Sequence, residues 1–160
     1  MKKIARTPKS PKSSKSPKTM KNRANGTTNM VIRNFQREIT VEFFEIILMI
    51  KLYHWKTYSY STHKATDSLY SNMNENMDKF IEVLLGKTGI RIDLTDNKNI
   101  RLYDFDNMNA FVNKIKDFKS YLVDLTNNKA IKLMSNTDLL NIRDEILGDL
   151  NQFLYLLSFK

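Results

Sequence analysis

The sequence has no cysteine, only two histidines and only four glycines in 160 residues. Without cysteine it can form neither disulfides nor thiolate metal sites. All three prolines precede residue 18, so no later proline interrupts a helix. The longest apolar run, Ile46 to Ile50, is far shorter than the ~20 residues of a membrane span. The basic N-terminus has no apolar segment after it and is not a secretory signal. We therefore expect a soluble, intracellular protein with no membrane contact.

Positive charge is concentrated at the N-terminus. The formal net charge is +9, and residues 1–23 contain nine basic and no acidic residues. The remaining 17 basic and 17 acidic residues balance each other. Residues 1–28 also contain almost nothing apolar and cannot help to bury a core. We predict a disordered basic tail at 1–28 and one folded domain at 29–160.

The tail contains three short repeats, Thr7-Pro8-Lys9, Ser10-Pro11-Lys12 and Ser16-Pro17-Lys18, which resemble those of linker-histone tails. Lysines on an extended chain neutralise phosphates and release counterions, which gives binding without sequence preference. We therefore predict nucleic-acid binding by the tail, with a solubilising role and a nuclear-import signal as alternatives. The predicted contacts are Lys2, Lys3, Arg6, Lys9, Lys12, Lys15, Lys18, Lys21 and Arg23.

The sequence from about Met30 has the apolar periodicity of helices. In the first helix, apolar residues recur at Val41, Phe44, Leu48 and Leu52, among others. A short connection makes the first two helices antiparallel neighbours. Residues 89–105 alternate enough to suggest two short extended pieces. The fold class is all-α, a four-helix bundle, with helices at about 31–57, 61–86, 106–126 and 136–158.

Residue types that bind metals are grouped in the first two helices. Both histidines lie there, together with two carboxylates four residues apart. On a helical wheel, the metal-binding residue types of the second helix lie along the edge of its apolar stripe, where another subunit would pack. Imidazole and carboxylate groups together suit iron. The predicted ligands are His54, His63, Asp67, Asp78 and Glu82.

One chain cannot bring these groups to one metal ion. His63 and Asp78 are separated by about 22 Å along a helix, whereas ligands of one ion lie within about 4 Å of one another. Two antiparallel copies of the second helix across a two-fold axis would bring His63 to Asp78 and Glu82. We therefore predict a homo-oligomer with a two-fold interface through the second helix.

The motifs His54-Trp55, His63-x3-Asp67 and Asp78-x3-Glu82, the last eleven residues after Asp67, resemble the ferroxidase motif of Dps proteins. These are the ferritin-like DNA-binding proteins from starved cells. The resemblance covers about residues 40–86 and extends to small Dps-like proteins of phages and large DNA viruses. It implies a ferritin-like bundle that oxidises ferrous iron and a tail that condenses DNA. It also implies that His54, His63 and Asp67 of one subunit face Asp78 and Glu82 of another. The locations it suggests are the nucleoid, the nucleus or a virion.

Other interpretations of the same residues remain. The interval between His54 and His63 is about three residues shorter than in Dps proteins. In one alternative, His54-Trp55 simply closes the first helix, with Trp55 packed on the core. In a separate alternative, His63 is a helix-start residue that interacts with Asp67 one turn later. Asp78 and Glu82 would belong to a solvated face. We expect the tyrosines at 53, 58, 60 and 70 to pack. The alternative function is a non-catalytic DNA-packaging or virion structural protein that uses the bundle as an oligomerising scaffold.

Overall fold

The computed structural model describes residues 17–97 and 99–159, and within them the chain is helical and forms no strand. Four long helices account for most of these residues, which confirms the predicted all-α four-helix bundle. A 3-10 turn at Leu125–Asn127 and a short helix connect the last two long helices. The helices are α1 (Pro17–Lys56), α2 (Tyr60–Thr88), α3 (Met108–Asp124), α4 (Lys129–Lys132) and α5 (Thr137–Leu156).

Helix α1 begins well before the predicted residue 31. Its first residue is Pro17, and proline suits the first helical position because that N–H has no helical partner. No proline follows, so the helix continues without interruption to Lys56. It therefore includes residues 17–28 of the predicted tail. Residues 1–16 lie outside the part of the chain that the structure describes.

The ends of α2 are set by capping groups and lie slightly outside the predicted range 61–86. The Ser59 hydroxyl accepts a hydrogen bond from the Thr62 amide and caps the N-terminus, so α2 begins slightly before residue 61. Gly86, the predicted stop, lies inside the helix. The helix ends at Thr88 because Gly89 adopts φ 62°, the left-handed conformation that glycine accepts at low cost.

The order of the helices in space follows from contacts at their ends. Helix α2 packs antiparallel to α1, with Gln36 bonded to Thr88 near one end of the bundle. Residues 89–97 and 99–107, here called the crossover segment, then run along α1 to the opposite end. There Lys56 pairs with Asp104 and Asp106. One long crossover between two helical hairpins is the connectivity of ferritin-like bundles.

The crossover segment is irregular. Its described residues form no strand, and polar bonds attach it to α1 instead. Arg37 donates to the Asp93 carbonyl at 2.7 Å, and the Glu45 carboxylate accepts from the Arg101 amide at 3.0 Å. Of the alternating apolar residues that suggested extended pieces, those at 90, 92, 94, 103 and 105 are half-buried, whereas Ile100 and Leu102 are exposed.

The core lies between the four long helices. Helices α2 and α5 each bury an apolar stripe, which is Leu69, Met73, Met77, Phe80 and Leu84 in α2 and Leu139, Ile142, Ile146, Leu150 and Phe153 in α5. Helix α1 buries a different set of residues from the one that identified it in the sequence. Its core side chains include Ile39, Phe43, Ile46 and Ile50, whereas Phe44 and Leu48 are exposed. Phe43 makes edge-to-face contacts with Phe80 of α2 and Phe118 of α3, so three helices meet at one aromatic cluster.

Candidate metal centre

The junction of α1 and α2 brings the two histidines together. Helix α1 ends at Lys56 and α2 begins at Tyr60, so His54 and His63 each lie close to the turn. Their rings stack with centroids 3.9 Å apart and an interplanar angle of 23°. The nine-residue interval between them is therefore short enough to place the rings side by side.

Reciprocal hydrogen bonds hold the pair. His54 Nδ1 lies 3.0 Å from the His63 carbonyl oxygen, and His63 Nδ1 lies 3.1 Å from the His54 carbonyl oxygen. A carbonyl can only accept, so each bond requires the proton on Nδ1. In the neutral form, both histidines then have an unprotonated Nε2. Histidines that bind metals commonly donate their other N–H to a backbone carbonyl in this way.

Asp67 is the third member of the cluster. It lies one turn after His63 on α2, and its Oδ1 is 3.9 Å from His54 Nε2. The side chain of His54 is buried, whereas that of Asp67 is half-exposed. The Asp67 carboxylate therefore lies beside one imidazole of the stacked pair, where a buried part of the bundle reaches its surface. These donor types fit iron.

Asp78 and Glu82 lie elsewhere on α2, and both are exposed. Asp78 borders a groove with Phe44, Ile47 and Asn74. Glu82 borders a shallow depression beside Arg91. Across residues 17–97 and 99–159, no three histidine, cysteine, aspartate or glutamate side chains of one chain form a group that could hold a metal ion. The structure thus stacks His54 on His63 and places Asp67 beside His54, and it leaves Asp78 and Glu82 away from all three.

Several apolar side chains of α1 remain uncovered. Phe44 and Leu48 are each 45% exposed, and Trp55 is 69% exposed. The Lys51 ammonium lies 4.3 Å from the centre of the Tyr70 ring and 5.8 Å from that of Trp55, which links α1 to α2 on this side. We call this surface the α1–α2 face: Phe44, Leu48, Lys51 and Trp55 of α1, with Tyr70, Asp78 and Ile81 of α2.

The aromatic residues near the turn differ from what the sequence suggested. Trp55 does not pack on the core, so the interpretation in which it closes helix one against the core is wrong. Tyr53 is buried and stacks on Phe111, as expected. Tyr58 and Tyr60 are exposed, and their expected packing is not found within the chain.

Thr66, a fully buried residue that contacts His54, was not among the predicted site residues. Its hydroxyl oxygen lies 3.2 Å from His54 Nδ1. The available signal was a threonine on the inner side of α2, four residues after another threonine and directly before Asp67. A polar residue in a buried helical position requires a hydrogen-bond partner, and His54 is one of its partners.

The predicted nucleic-acid contacts lie at the chain's N-terminal end. Lys2, Lys3, Arg6, Lys9, Lys12 and Lys15 are outside the described residues. Lys18, Lys21 and Arg23 belong to the N-terminal turns of α1. None of the helices described is long and apolar enough to cross a bilayer.

The described residues thus form a four-helix bundle with one long crossover, with two stacked histidines and an adjacent aspartate at the junction of its first two helices. Comparison with protein families matches residues 54–157 to a family of unknown function, DUF5856. The chain belongs to this family, and the matched region includes His54, His63, Asp67, Asp78 and Glu82. No curated protein and no solved structure matches the chain.

Proposed function

We propose that this protein is a Dps-like iron-binding protein that oxidises ferrous iron at a site shared by two subunits and binds DNA non-specifically through its N-terminal tail. Ferrous iron is the substrate, and oxygen or peroxide accepts its electrons. His54, His63 and Asp67 of one subunit would hold the ion from one side. Asp78 and Glu82 of the other subunit would hold it from the opposite side.

The observation that carries this proposal is the pair of reciprocal Nδ1–H bonds between the stacked histidines. They leave two Nε2 lone pairs available and fix the rings through backbone atoms. Asp67 lies 3.9 Å from one of these nitrogens and adds a negative oxygen ligand. An ion held by mixed nitrogen and oxygen donors is well matched to iron.

The second half of the site supports a two-fold arrangement. Asp78 and Glu82 are one helical turn apart on the surface of α2, so both can approach one ion from the same side. Asp78 also borders the exposed Phe44 in one groove. A second copy of the chain, packed antiparallel on the α1–α2 face, would cover these apolar side chains and present its Asp78 and Glu82 to His63.

The metal function is tested by titrating ferrous iron into the purified protein under air, counting the iron bound per chain and following ferric absorbance. The variants are His63→Asn and the double variant Asp78→Ala/Glu82→Ala. Asparagine keeps an N–H donor near the position of Nδ1 but removes Nε2. We expect each variant to weaken iron binding by more than about tenfold and to slow oxidation. Glu75→Ala, which removes another exposed carboxylate of α2, is the matched control. Wild-type oxidation no faster than in buffer would refute the proposal.

The tail function has a separate test. Deleting residues 2–23 removes nine positive charges and leaves a neutral body. We expect DNA affinity at moderate salt to fall steeply. We also expect the remaining affinity to depend less on salt concentration, because fewer phosphates are neutralised. The control is Lys116→Ala/Lys119→Ala, which removes two lysines of α3 instead. Unchanged affinity after the deletion would remove the nucleic-acid role.

A non-catalytic scaffold is the second candidate, and one observation favours it. The two histidines already bond to backbone carbonyls of each other's helix, so they join α1 to α2 without a metal. Under this alternative, His63→Asn keeps DNA condensation and oligomeric state, and neither wild type nor variant oxidises iron. The ferrous titration therefore separates the two candidates.

A further inference from the structure

The contacts of Thr66 bear on how His54 is held. Thr66 lies in the second turn of α2, facing α1, and is fully buried. Its hydroxyl lies 2.8 Å from the Thr62 carbonyl and 3.0 Å from the His63 carbonyl. The hydroxyl has one proton, and both of these neighbours can only accept it. The proton of Thr66 is therefore committed to the backbone of its own helix.

The remaining contact of the Thr66 hydroxyl is His54 Nδ1, at 3.2 Å. Because the hydroxyl proton points to the carbonyls, the oxygen offers only lone pairs to His54. The oxygen therefore accepts a hydrogen bond from His54 Nδ1–H, which also donates to the His63 carbonyl. Two acceptors on one N–H restrict rotation of the ring. Turning it by 180° would abandon both bonds and leave the Thr66 lone pairs facing a C–H group.

We infer that Thr66 is a positioning residue: its hydroxyl oxygen helps to hold the His54 ring with the proton on Nδ1 and Nε2 on the side of Asp67. The functional reason for holding His54 in this way rests on the proposed metal site. The inference itself concerns a contact within one chain that exists without metal. Threonine is suited to the role because its hydroxyl bonds readily to the carbonyl four residues earlier in a helix.

The test compares Thr66→Val with Thr66→Ser. Valine keeps the shape of the side chain and removes the hydroxyl, whereas serine keeps the hydroxyl. The first readout is a long-range proton–nitrogen spectrum of histidine-labelled protein without metal. We expect one sharp Nδ1–H species for His54 in wild type and in Thr66→Ser. In Thr66→Val we expect broadened or doubled His54 signals, because a flipped ring then gives up one hydrogen bond instead of two.

The second readout is Zn²⁺ binding by calorimetry, with the metal ion alone as the probe. We expect Thr66→Val to bind Zn²⁺ about tenfold more weakly, as is typical when the outer partner of a ligating histidine is lost. Thr66→Ser should restore wild-type affinity. A valine variant within about twofold of wild type, or a serine variant as weak as valine, would overturn the inference.

The two proposals fail in different ways. If wild-type protein binds no metal, the proposed function fails, and the His54 spectra alone decide the role of Thr66. Unchanged His54 signals in Thr66→Val would then exclude it. If the valine variant does not fold, Thr66→Ala removes the same acceptor with less crowding, and the same spectra apply.

Discussion

Glu42 of α1 is a residue at which ionisation opposes folding. Its pKa is raised, first by burial and then by the neighbouring charges of Glu45 and Glu38, while Lys114 lowers it. A raised carboxyl pKa means that the folded state favours the proton. The resulting loss of stability is present when the pH is above the pKa of Glu42 in the folded protein. It disappears as the pH falls below the pKa of an ordinary glutamate, as in the unfolded chain.

Glu42→Gln should therefore stabilise the protein at pH 7 by about 0.5 kcal/mol, the size of like-charge pairs one turn apart on a helix. The gain should shrink towards zero near pH 4, where the carboxyl group is protonated. Urea unfolding of both proteins at the two pH values measures the difference. A variant less stable than wild type at pH 7, or a gain independent of pH, would contradict this explanation.

At the same scale, the sequence identified the histidines but not what surrounds them. His54 and His63 were recognisable because no other histidine occurs and because of their spacing to carboxylates. Their stacking and their bonds to carbonyls depend on the exact turn between α1 and α2, which periodicity does not specify. Thr66 was missed because a threonine in a helix is common, and its value arises only from the position of His54.

A charged side chain of α5 binds the C-terminal end of helix α3. The guanidinium group of Arg143 donates to the Leu122 carbonyl at 3.0 Å and to the Thr126 hydroxyl at 2.9 Å. The residue is buried, and it also pairs with Asp144. A cation at the C-terminus of a helix is favourable because the last carbonyls have no partner within the helix. Arg143 therefore connects the end of α3 to the middle of α5.

Arg143→Met keeps the apolar part of the side chain and removes these bonds. We expect it to lower the free energy of unfolding by about 2 kcal/mol, as for buried hydrogen bonds to a charged group. The matched control is Lys79→Met, which breaks an exposed ion pair to Glu145 and should cost less than about 1 kcal/mol. Equal effects in urea unfolding would show that Arg143 has no special role.

The helices themselves were predictable, while their ends and faces were less so. Proline near the start and the absence of proline afterwards allow a long α1, but they do not indicate where it begins. Gly86 and Gly89 are equally good stops in the sequence, and only the second adopts the left-handed conformation. Helix α1 is apolar on two sides, so periodicity alone could not decide that Phe43 is inside and Phe44 outside.

At the scale of the whole molecule, the proposed subunit interface is the α1–α2 face, where Phe44, Leu48 and Trp55 are exposed. Leu48→Asp places a charge at its centre. We expect self-association to weaken by about 3 kcal/mol, or roughly a hundredfold, because a carboxylate would be buried without a partner. Sedimentation velocity over a range of concentrations measures the effect. Val123→Asp is the control, since Val123 is exposed on α3, away from this face. Similar association of both variants and wild type would argue against this interface.

At this scale the bundle was predictable from four periodic segments, and the crossover was foreseeable from the length of the connection between the second and third helices. The irregular path of the crossover segment was not, because it depends on individual bonds such as those of Arg37 and Glu45. The pairing of subunits stays a prediction, since it concerns contacts between chains.

The single crossover divides the chain into two helical hairpins that have different roles. All five predicted ligands and the α1–α2 face belong to the first hairpin, whereas α3 and α5 contribute packing and the partners of exposed polar groups. Mutational drift should therefore be tolerated unevenly. Outward positions of the second hairpin can change among relatives as long as the buried apolar residues keep their volume. Substitutions around the turn between α1 and α2 should be accepted far less often, because one change there affects both the junction and the site.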